Sequence, residues 1–141
     1  MAVSKEQIYD VLPHRQEFAL LDGVVMIDVQ ARRMVAFKDV RPQEWWTRGH
    51  IPGRPLLPGV LMIEAAAQMA SYYTHVAMKD RRFWGFSGVD RVKFREAVSP
   101  PARLYLIGEA VELRRRRTVC QVQGLVQGRI VFEAKITGMP V

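Results

Sequence analysis

The segment from Pro58 to Lys79 constrains the fold most, because it is long, mostly apolar and free of helix-breaking residues after its start. Proline and glycine suit the first turn of a helix, and Pro58 and Gly59 stand at that place. The next glycine or proline along the chain is Gly85. A helix with apolar residues on most of its sides must be covered by other structure. The segment therefore predicts one long buried helix.

The rest of the chain shows the alternation of apolar and polar residues that is typical of β-strands. The segment DGVVMIDVQARRMVAFKDV predicts a hairpin with its turn near residues 30–33 and with Val25, Ile27 and Val29 on one face. The same period recurs downstream of the helix in four segments, residues 91–95, 103–106, 120–127 and 130–136. An antiparallel sheet curled around one helix is an α+β fold.

Length and composition favour one globular domain over residues 1–141, since 49% of the residues are hydrophobic and 25% are charged. The formal charge of +7 favours an acidic partner, which could be nucleic acid, an anionic membrane surface or an acidic protein. Nucleic acid is disfavoured, because the arginine-rich run near residue 115 lacks interleaved aromatic residues and any known binding motif.

The single cysteine, Cys120, excludes an intramolecular disulfide, and we expect it to pack in a strand as a small hydrophobic residue.

Two features bear on location. The least charged part of the chain, Pro55 to Met78, is interrupted by Pro58, Glu64 and Gln68, so we expect no membrane span. The N-terminal segment MAVSKEQIYDVLP lacks the apolar block of a secretory signal and predicts a short amphipathic helix. Together they predict a cytoplasmic protein.

His50 stands in a loop whose backbone is restricted by prolines and glycines. These are Gly49, Pro52, Gly53, Pro55, Pro58 and Gly59. The loop leads into the N-terminus of the predicted helix, where unpaired N–H groups can polarise a carbonyl oxygen. A lone histidine is more often a hydrogen-bonded structural group than a catalyst, and this alternative stays open for His50.

Glu64 lies five residues into the same helix and shares one polar stripe with Gln68, Ser71 and His75. A carboxylate in apolar surroundings is either paired or becomes available as an acid. A solvated helix edge or a subunit contact would also explain the stripe. A histidine, a desolvated carboxylic acid and a helix N-terminus are nevertheless the parts needed to remove a proton beside a carbonyl and expel a hydroxyl.

The resemblance to a known family lies in three segments, LPHRQEFALLD, GHIPGRPLLPGVLMIEAAAQ and GVDRVKFREAV. They resemble, in order and approximate spacing, the (3R)-hydroxyacyl acyl-carrier-protein dehydratases of type II fatty acid synthesis, the FabZ-type branch of the hotdog superfamily. The most specific part is His-x-Pro-Gly-x-Pro-x-x-Pro-Gly followed by Glu64, fourteen residues after His50. The FabA-type dehydratase/isomerases carry Asp at the position of Glu64.

This resemblance implies a hotdog fold, with five or six strands around the central helix, assembled as a homodimer and often as a trimer of dimers. It implies an active site at the dimer interface, with His50 as base and Glu64 as acid from different chains. The N–H of Gly59 would polarise the thioester carbonyl, and Gln68 would lie behind Glu64. Neither a metal nor an organic cofactor is implied.

The partner implied by the family is an acidic acyl carrier protein that presents the acyl chain on a phosphopantetheine arm. Basic residues near the active-site mouth would steer it. The candidates form two clusters, Arg91, Lys93 and Arg95 on one strand face, and Arg114, Arg115, Arg116 and Arg117 at a predicted turn. A solvated strand face or hairpin is the alternative for each cluster.

The chain departs from the family pattern at Glu17, Gly23, Ile51 and the Pro100–Pro101 pair, which leaves the chain length and the pathway of the substrate open and would suit a specialised paralogue. The acyl tunnel could be lined by aromatic residues, for which core packing is the alternative: Trp45, Trp46, Phe83, Trp84 and Phe86.

Two other functions stay open. Hotdog proteins include acyl thioesterases, but these generally lack the glycine- and proline-rich loop around His50. A non-catalytic acyl-binding subunit would be expected to have lost His50, Gly59 or Glu64, and all three are present. The sequence therefore favours the dehydratase.

Overall fold

Helix α2, Gly59–Met78, is wrapped by a single antiparallel sheet in the computed structural model, which describes residues 2–141. In chain order the elements are β1 (Val3–Ser4), α1 (Lys5–Tyr9), a 3₁₀ helix (Gln16–Phe18), β2 (Gly23–Asp28), β3 (Arg33–Val40), α2 (Gly59–Met78), β4 (Trp84–Phe94), β5 (Ala102–Arg114), β6 (Arg117–Val126) and β7 (Arg129–Pro140). The predicted α+β fold with a long central helix is confirmed.

Helix α2 begins and ends where the sequence indicates. Pro58 precedes its first residue with φ −60°, and Lys79 ends it in the left-handed conformation with φ 51°. Every residue from Ala65 to Thr74 is buried, which accounts for the near absence of charge in this part of the chain. The helix is therefore a core element, covered on all sides over its middle ten residues.

The sheet has the strand order β1-β2-β3-β5-β6-β7-β4. The family resemblance implies five or six strands, and the structure has seven because the two-residue β1 pairs with β2 through Val3 and Val24. Strand β4 lies at the edge of the sheet and pairs with β7 only. One side of β4 is thus left without a strand neighbour in residues 2–141.

The alternation in β5 matches the prediction, with Leu104 and Leu106 fully buried and Tyr105 turned outward. The face predicted for β2 was wrong. A β-bulge between Val24 and Met26 shifts the register, so that Val24 is buried and Val25 is exposed. A bulge adds one residue to a strand and reverses the faces beyond it, which a strict period of two does not anticipate.

The N-terminal helix α1 is fixed by a capping box. The Ser4 hydroxyl accepts the N–H of Gln7 at 3.2 Å, and the Gln7 side chain accepts the N–H of Ser4 at 2.8 Å.

Cys120 is buried in β6, where burial raises the pKa of its thiol to about 12. Neither helix in residues 2–141 combines the length and the apolar character that crossing a bilayer requires.

The two faces of β5 provide a test of the register. Leu106 is fully buried and the adjacent Ile107 is 37% exposed, although their side chains are isomers. We expect Leu106→Ala to lower the free energy of unfolding by about 2–5 kcal/mol and Ile107→Ala to lower it by about 1 kcal/mol or less. Urea unfolding followed by circular dichroism measures both. Equal losses would contradict the register.

Candidate active site

The loop before α2 holds His50 by both its backbone and its ring. Its backbone N–H donates to the carbonyl of Trp46 at 3.0 Å, and Trp46 itself is buried in the core. Its ring Nδ1 lies 2.8 Å from the carbonyl oxygen of Leu56. Because a carbonyl oxygen can only accept, the neutral ring carries its proton on Nδ1. The lone pair of Nε2 is therefore free to act as a base.

His50 lines a cavity of about 450 Å³ together with the first turn of α2. The lining residues are His50, Leu56, Leu57, Gly59, Val60, Met62, Phe94, Arg95, Glu96 and Ala97. The loop is held at this place by a hydrogen bond from the N–H of Leu57 to the carbonyl of Val98, 2.8 Å long. The cavity thus combines a basic nitrogen, apolar walls and the unpaired N–H groups of a helix N-terminus.

Space, rather than backbone conformation, favours glycine at position 59. A Cβ built on Gly59 would lie 2.8 Å from the ring of Phe94, closer than real Cβ contacts allow. Phe94 is itself stacked on the buried Phe132, with ring centroids 5.7 Å apart. A side chain at position 59 would have to displace this ring from the wall of the cavity.

The aromatic residues proposed as a tunnel lining do not line this cavity. Trp46 and Trp84 are buried in the core, as their alternative interpretation predicts, and Phe83 and Phe86 are exposed elsewhere. The aromatic wall is provided by Phe94 instead. Strand alternation in the sequence placed Phe94 on a face of β4 but could not show that this face meets the start of α2.

Glu64 does not join His50 in this cavity. It follows Gly59 by five residues, which turns it by about 140° around the helix and moves it about 7.5 Å along the axis. No hydrogen bond or ion pair links His50 to Glu64 within residues 2–141. The Glu64 side chain is 24% exposed, and its Oε1 faces Gln68 and His14.

Gln68 is buried and its amide orientation is fixed by its partners. Its Oε1 accepts the N–H of Leu20 at 3.1 Å, and its Nε2 donates to the carbonyl of Phe18 at 2.8 Å. Since a backbone N–H only donates and a carbonyl only accepts, the amide cannot be reversed. The same Nε2 donates to Glu64 Oε1 at 3.0 Å. Gln68 therefore connects the carboxylate to residues 18–20, at the end of the 3₁₀ helix.

His14 is a neighbour of Glu64 that the sequence did not single out. Its Nε2 lies 3.6 Å from Glu64 Oε1, and its ring packs edge-on against Phe83 with centroids 5.9 Å apart. Burial lowers the pKa of His14 below its usual range, although the charge of Glu64 acts in the opposite direction. His14 lies in the segment LPHRQEFALLD, fifty residues before Glu64, so no spacing argument connects the two.

The remaining members of the polar stripe lie farther along α2. Ser71 is buried, and the backbone carbonyl of His75 accepts the N–H groups of Lys79 and Asp80 where the helix ends. The stripe therefore does not form one continuous polar surface.

The two basic clusters lie in different places. Arg95 lines the His50 cavity and is paired with Glu133, whereas Arg91 lines a separate groove on the outer face of the sheet. Lys93 lies opposite Glu133 in the pairing of β4 with β7.

The arginine run forms the tip of the hairpin between β5 and β6, where Arg114 and Arg117 face each other. Both pair with Glu112, at 3.3 and 3.4 Å. Thr118, next to this tip, meets Thr74 near the end of α2. Thr74 lies fifteen residues after Gly59, or about 22 Å along the helix axis. Within one chain the tip is therefore remote from the cavity.

Comparison with known proteins gives consistent results. The model of a family described as the FabA-like domain matches residues 12–135. The chain is 35% identical over 135 residues to a 3-hydroxyacyl-acyl-carrier-protein dehydratase FabZ from Protochlamydia amoebophila, covering 96% of this chain and 88% of the relative.

Two solved structures share the fold at low sequence identity. The dehydratase heterocomplex ApeI:P from Xenorhabdus doucetiae has a TM-score of 0.78 at 15% identity, covering 95% of this chain and 90% of that one. A hypothetical thioesterase from Streptococcus pneumoniae, solved with coenzyme A, has a TM-score of 0.69 at 13% identity, covering 98% and 97%. At these identities the likeness concerns the fold alone.

The buried amide of Gln68 provides a test of the network behind Glu64. Gln68→Met keeps a similar volume but leaves the Leu20 N–H without an acceptor, so we expect the free energy of unfolding to fall by about 1–3 kcal/mol. Gln121→Met on the exposed face of β6 is the matched control, expected to change it by less than about 0.5 kcal/mol. Chemical denaturation measures both, and equal changes would refute the buried network.

Proposed function

Because the chain belongs to the FabA-like family, we propose that it is a 3-hydroxyacyl-acyl-carrier-protein dehydratase, which removes water from a 3-hydroxyacyl thioester in fatty acid biosynthesis. The product is the trans-2-enoyl thioester. The observation that carries the proposal is the free Nε2 of His50 beside the N-terminus of α2 in an apolar cavity. The 35% identity to the FabZ dehydratase of Protochlamydia amoebophila, over 96% of this chain, supports the proposal.

Each step of the elimination has a candidate group. Nε2 of His50 takes the proton from C2, and the electron pair of the C2–H bond forms the C2=C3 double bond as the C3–O bond breaks. The N–H of Gly59 donates to the thioester carbonyl oxygen, where negative charge develops. Glu64 gives a proton to the departing hydroxyl, directly or through water, so that water leaves.

A second copy of the chain supplies the acid in this proposal. His50 and Glu64 make no contact within residues 2–141, although both are needed for the elimination. The edge strand β4 offers a place for a partner, since Phe86 and Phe94 on it are 44% and 52% exposed. We propose a homodimer in which His50 of one protomer meets the partner's Glu64.

The experiment mixes two inactive variants. We expect His50→Ala and Glu64→Gln each to lower kcat by about 10²- to 10⁴-fold. Ultraviolet absorbance of the enoyl thioester follows the interconversion of crotonyl and (3R)-3-hydroxybutyryl carrier protein. After unfolding and joint refolding of equal amounts, half of the dimers are mixed and each holds one intact site. Activity should therefore return to about a quarter of the wild-type value.

The other outcomes are distinct. No recovery on mixing would contradict a site shared between chains, because a site within one chain stays broken in both variants. Free thiol released by the wild type would identify a thioesterase instead. Wild-type protein that converts neither short nor long 3-hydroxyacyl thioesters would overturn the dehydratase and favour an acyl-binding role.

The carrier protein is proposed to dock beside Arg95. Of the two basic clusters, only this one reaches the cavity within its own chain. We expect Arg95→Gln to lower kcat/KM for carrier-bound substrate by roughly 5- to 10-fold at low salt, with a smaller effect at high salt. The coenzyme A thioester, which has no acidic protein to steer, should be nearly unaffected.

The matched control for Arg95 is Arg116→Gln, which removes the same charge at the hairpin tip. Its kcat/KM should stay close to that of the wild type. A larger loss in Arg116→Gln than in Arg95→Gln would move the docking surface to the hairpin.

A further inference from the structure

We propose that His14 is a positioning residue for Glu64. Together with Gln68, His14 holds the Oε1 atom of the Glu64 carboxyl group and leaves Oε2 to meet the substrate. The inference rests on the proposed function of Glu64 as the acid. It concerns a residue outside the loop and helix that provide His50 and Gly59.

The contacts of Glu64 are all on one oxygen. Gln68 Nε2 lies 3.0 Å and His14 Nε2 lies 3.6 Å from Oε1, while Oε2 has no hydrogen bond or ion pair within residues 2–141. The side chain keeps 24% of its surface exposed. Gln68 thus binds one oxygen of the carboxyl group and His14 faces the same oxygen, while the other oxygen is open to a substrate or to a second chain.

The ring of His14 can offer a hydrogen only from the nitrogen that faces Glu64. Its Nδ1 is buried without a hydrogen-bond partner, and a buried N–H without an acceptor is costly. Nε2 faces a carboxylate, which can only accept when ionised. The neutral ring therefore carries its hydrogen on Nε2. The distance of 3.6 Å between His14 Nε2 and Glu64 Oε1 is longer than a hydrogen bond, and catalytic hydrogen bonds in free enzymes are often long and tighten only when substrate binds.

The surroundings keep the ring neutral. Burial lowers the pKa of His14, Glu64 raises it and Arg15 lowers it further, so the neutral form prevails near neutral pH. Arg15 is turned to the carbonyls of Leu12, His14 and Tyr9, and its guanidinium lies over the Tyr9 ring. On the side toward β4, the ring of His14 contacts the uncharged ring of Phe83.

This arrangement decides which oxygen of Glu64 carries the acidic proton. Oε1 faces the N–H groups of Gln68 and His14, so a proton on it would meet other hydrogens. The proton therefore sits on Oε2, the oxygen left for the departing hydroxyl. His14 does not touch the reacting atoms in this scheme, and it acts through the carboxyl group of Glu64.

The test compares His14→Leu, which removes the donor, with His14→Gln, whose amide can place an N–H near the position of Nε2. We expect His14→Leu to lower kcat at least about tenfold with KM changed less than about twofold. His14→Gln should restore most of the rate. Circular dichroism and gel filtration verify that both variants are folded.

Rescue by the glutamine variant separates positioning from mere packing. Leucine fills the space of the ring without a donor, whereas the glutamine amide can donate to Oε1 as Nε2 does. A positioning role therefore predicts that His14→Gln keeps most of the rate that His14→Leu loses, with KM changed little in both. Equal losses of kcat in the two variants would reduce His14 to a packing residue and overturn the proposal.

A second measurement does not depend on turnover. In ¹⁵N NMR, the His14 ring should titrate as the Nε2–H tautomer, and Glu64→Gln should lower its pKa because the negative charge that raises it is lost. An unmoved His14 titration would refute the contact. Wild-type protein without dehydratase activity would instead overturn the proposed function, while the NMR result would still decide the contact.

Discussion

The rest of the chain must cover ten consecutive buried residues in α2, from Ala65 to Thr74. Their apolar surface is stabilised only where it is removed from water, and residues 2–141 contain no second long helix to cover it. The sheet covers it instead by curling around the helix axis. Coverage is complete over the middle of α2 and weaker toward its start, where Val60 remains 69% exposed. The first turn of α2 is therefore available to the loop that holds His50, and the candidate site lies at the start of the helix because only the middle is fully covered.

The features that the sequence could predict are those encoded by neighbouring residues. Helix α2 was located within about a residue at each end because Pro58 and the absence of breakers before Gly85 are local signals. His50 and Gly59 were likewise placed together because one short loop joins them. The contacts of Glu64 with His14, and of Gln68 with Phe18 and Leu20, join segments about fifty residues apart, and no periodicity reports such distances. The face of β2 was mispredicted for a third reason, since a bulge is a local irregularity in an otherwise regular alternation.

The proposed chemistry rests on few residues, some in α2 and others in segments outside the regular helix and strands. A dehydratase complex and a hypothetical thioesterase share the architecture at 15% and 13% identity, so the sheet and helix alone do not select a reaction. In the proposed mechanism, two irregular segments add to Gly59 and Glu64 of α2, namely the loop that carries His50 and the segment that carries His14. Each is anchored to the frame by backbone hydrogen bonds or buried side chains, through Trp46 and Leu57 in the first and through Gln68 in the second. Rigid anchoring of irregular segments is what allows a common fold to hold a specific set of groups.

The place of β4 in the sheet has a consequence for biosynthesis. Within residues 2–141 its one strand neighbour is β7, and thirty-four residues separate the end of β4 at Phe94 from the start of β7 at Arg129. Proteins are synthesised from the N-terminus, so β4 leaves the ribosome long before the strand that binds it. Until Arg129–Pro140 has emerged, β4 and the apolar helix before it lack a complete cover and expose surface that invites association with other chains. Closure of the sheet thus waits for β7, and the nascent chain depends on that strand to complete the cover of α2.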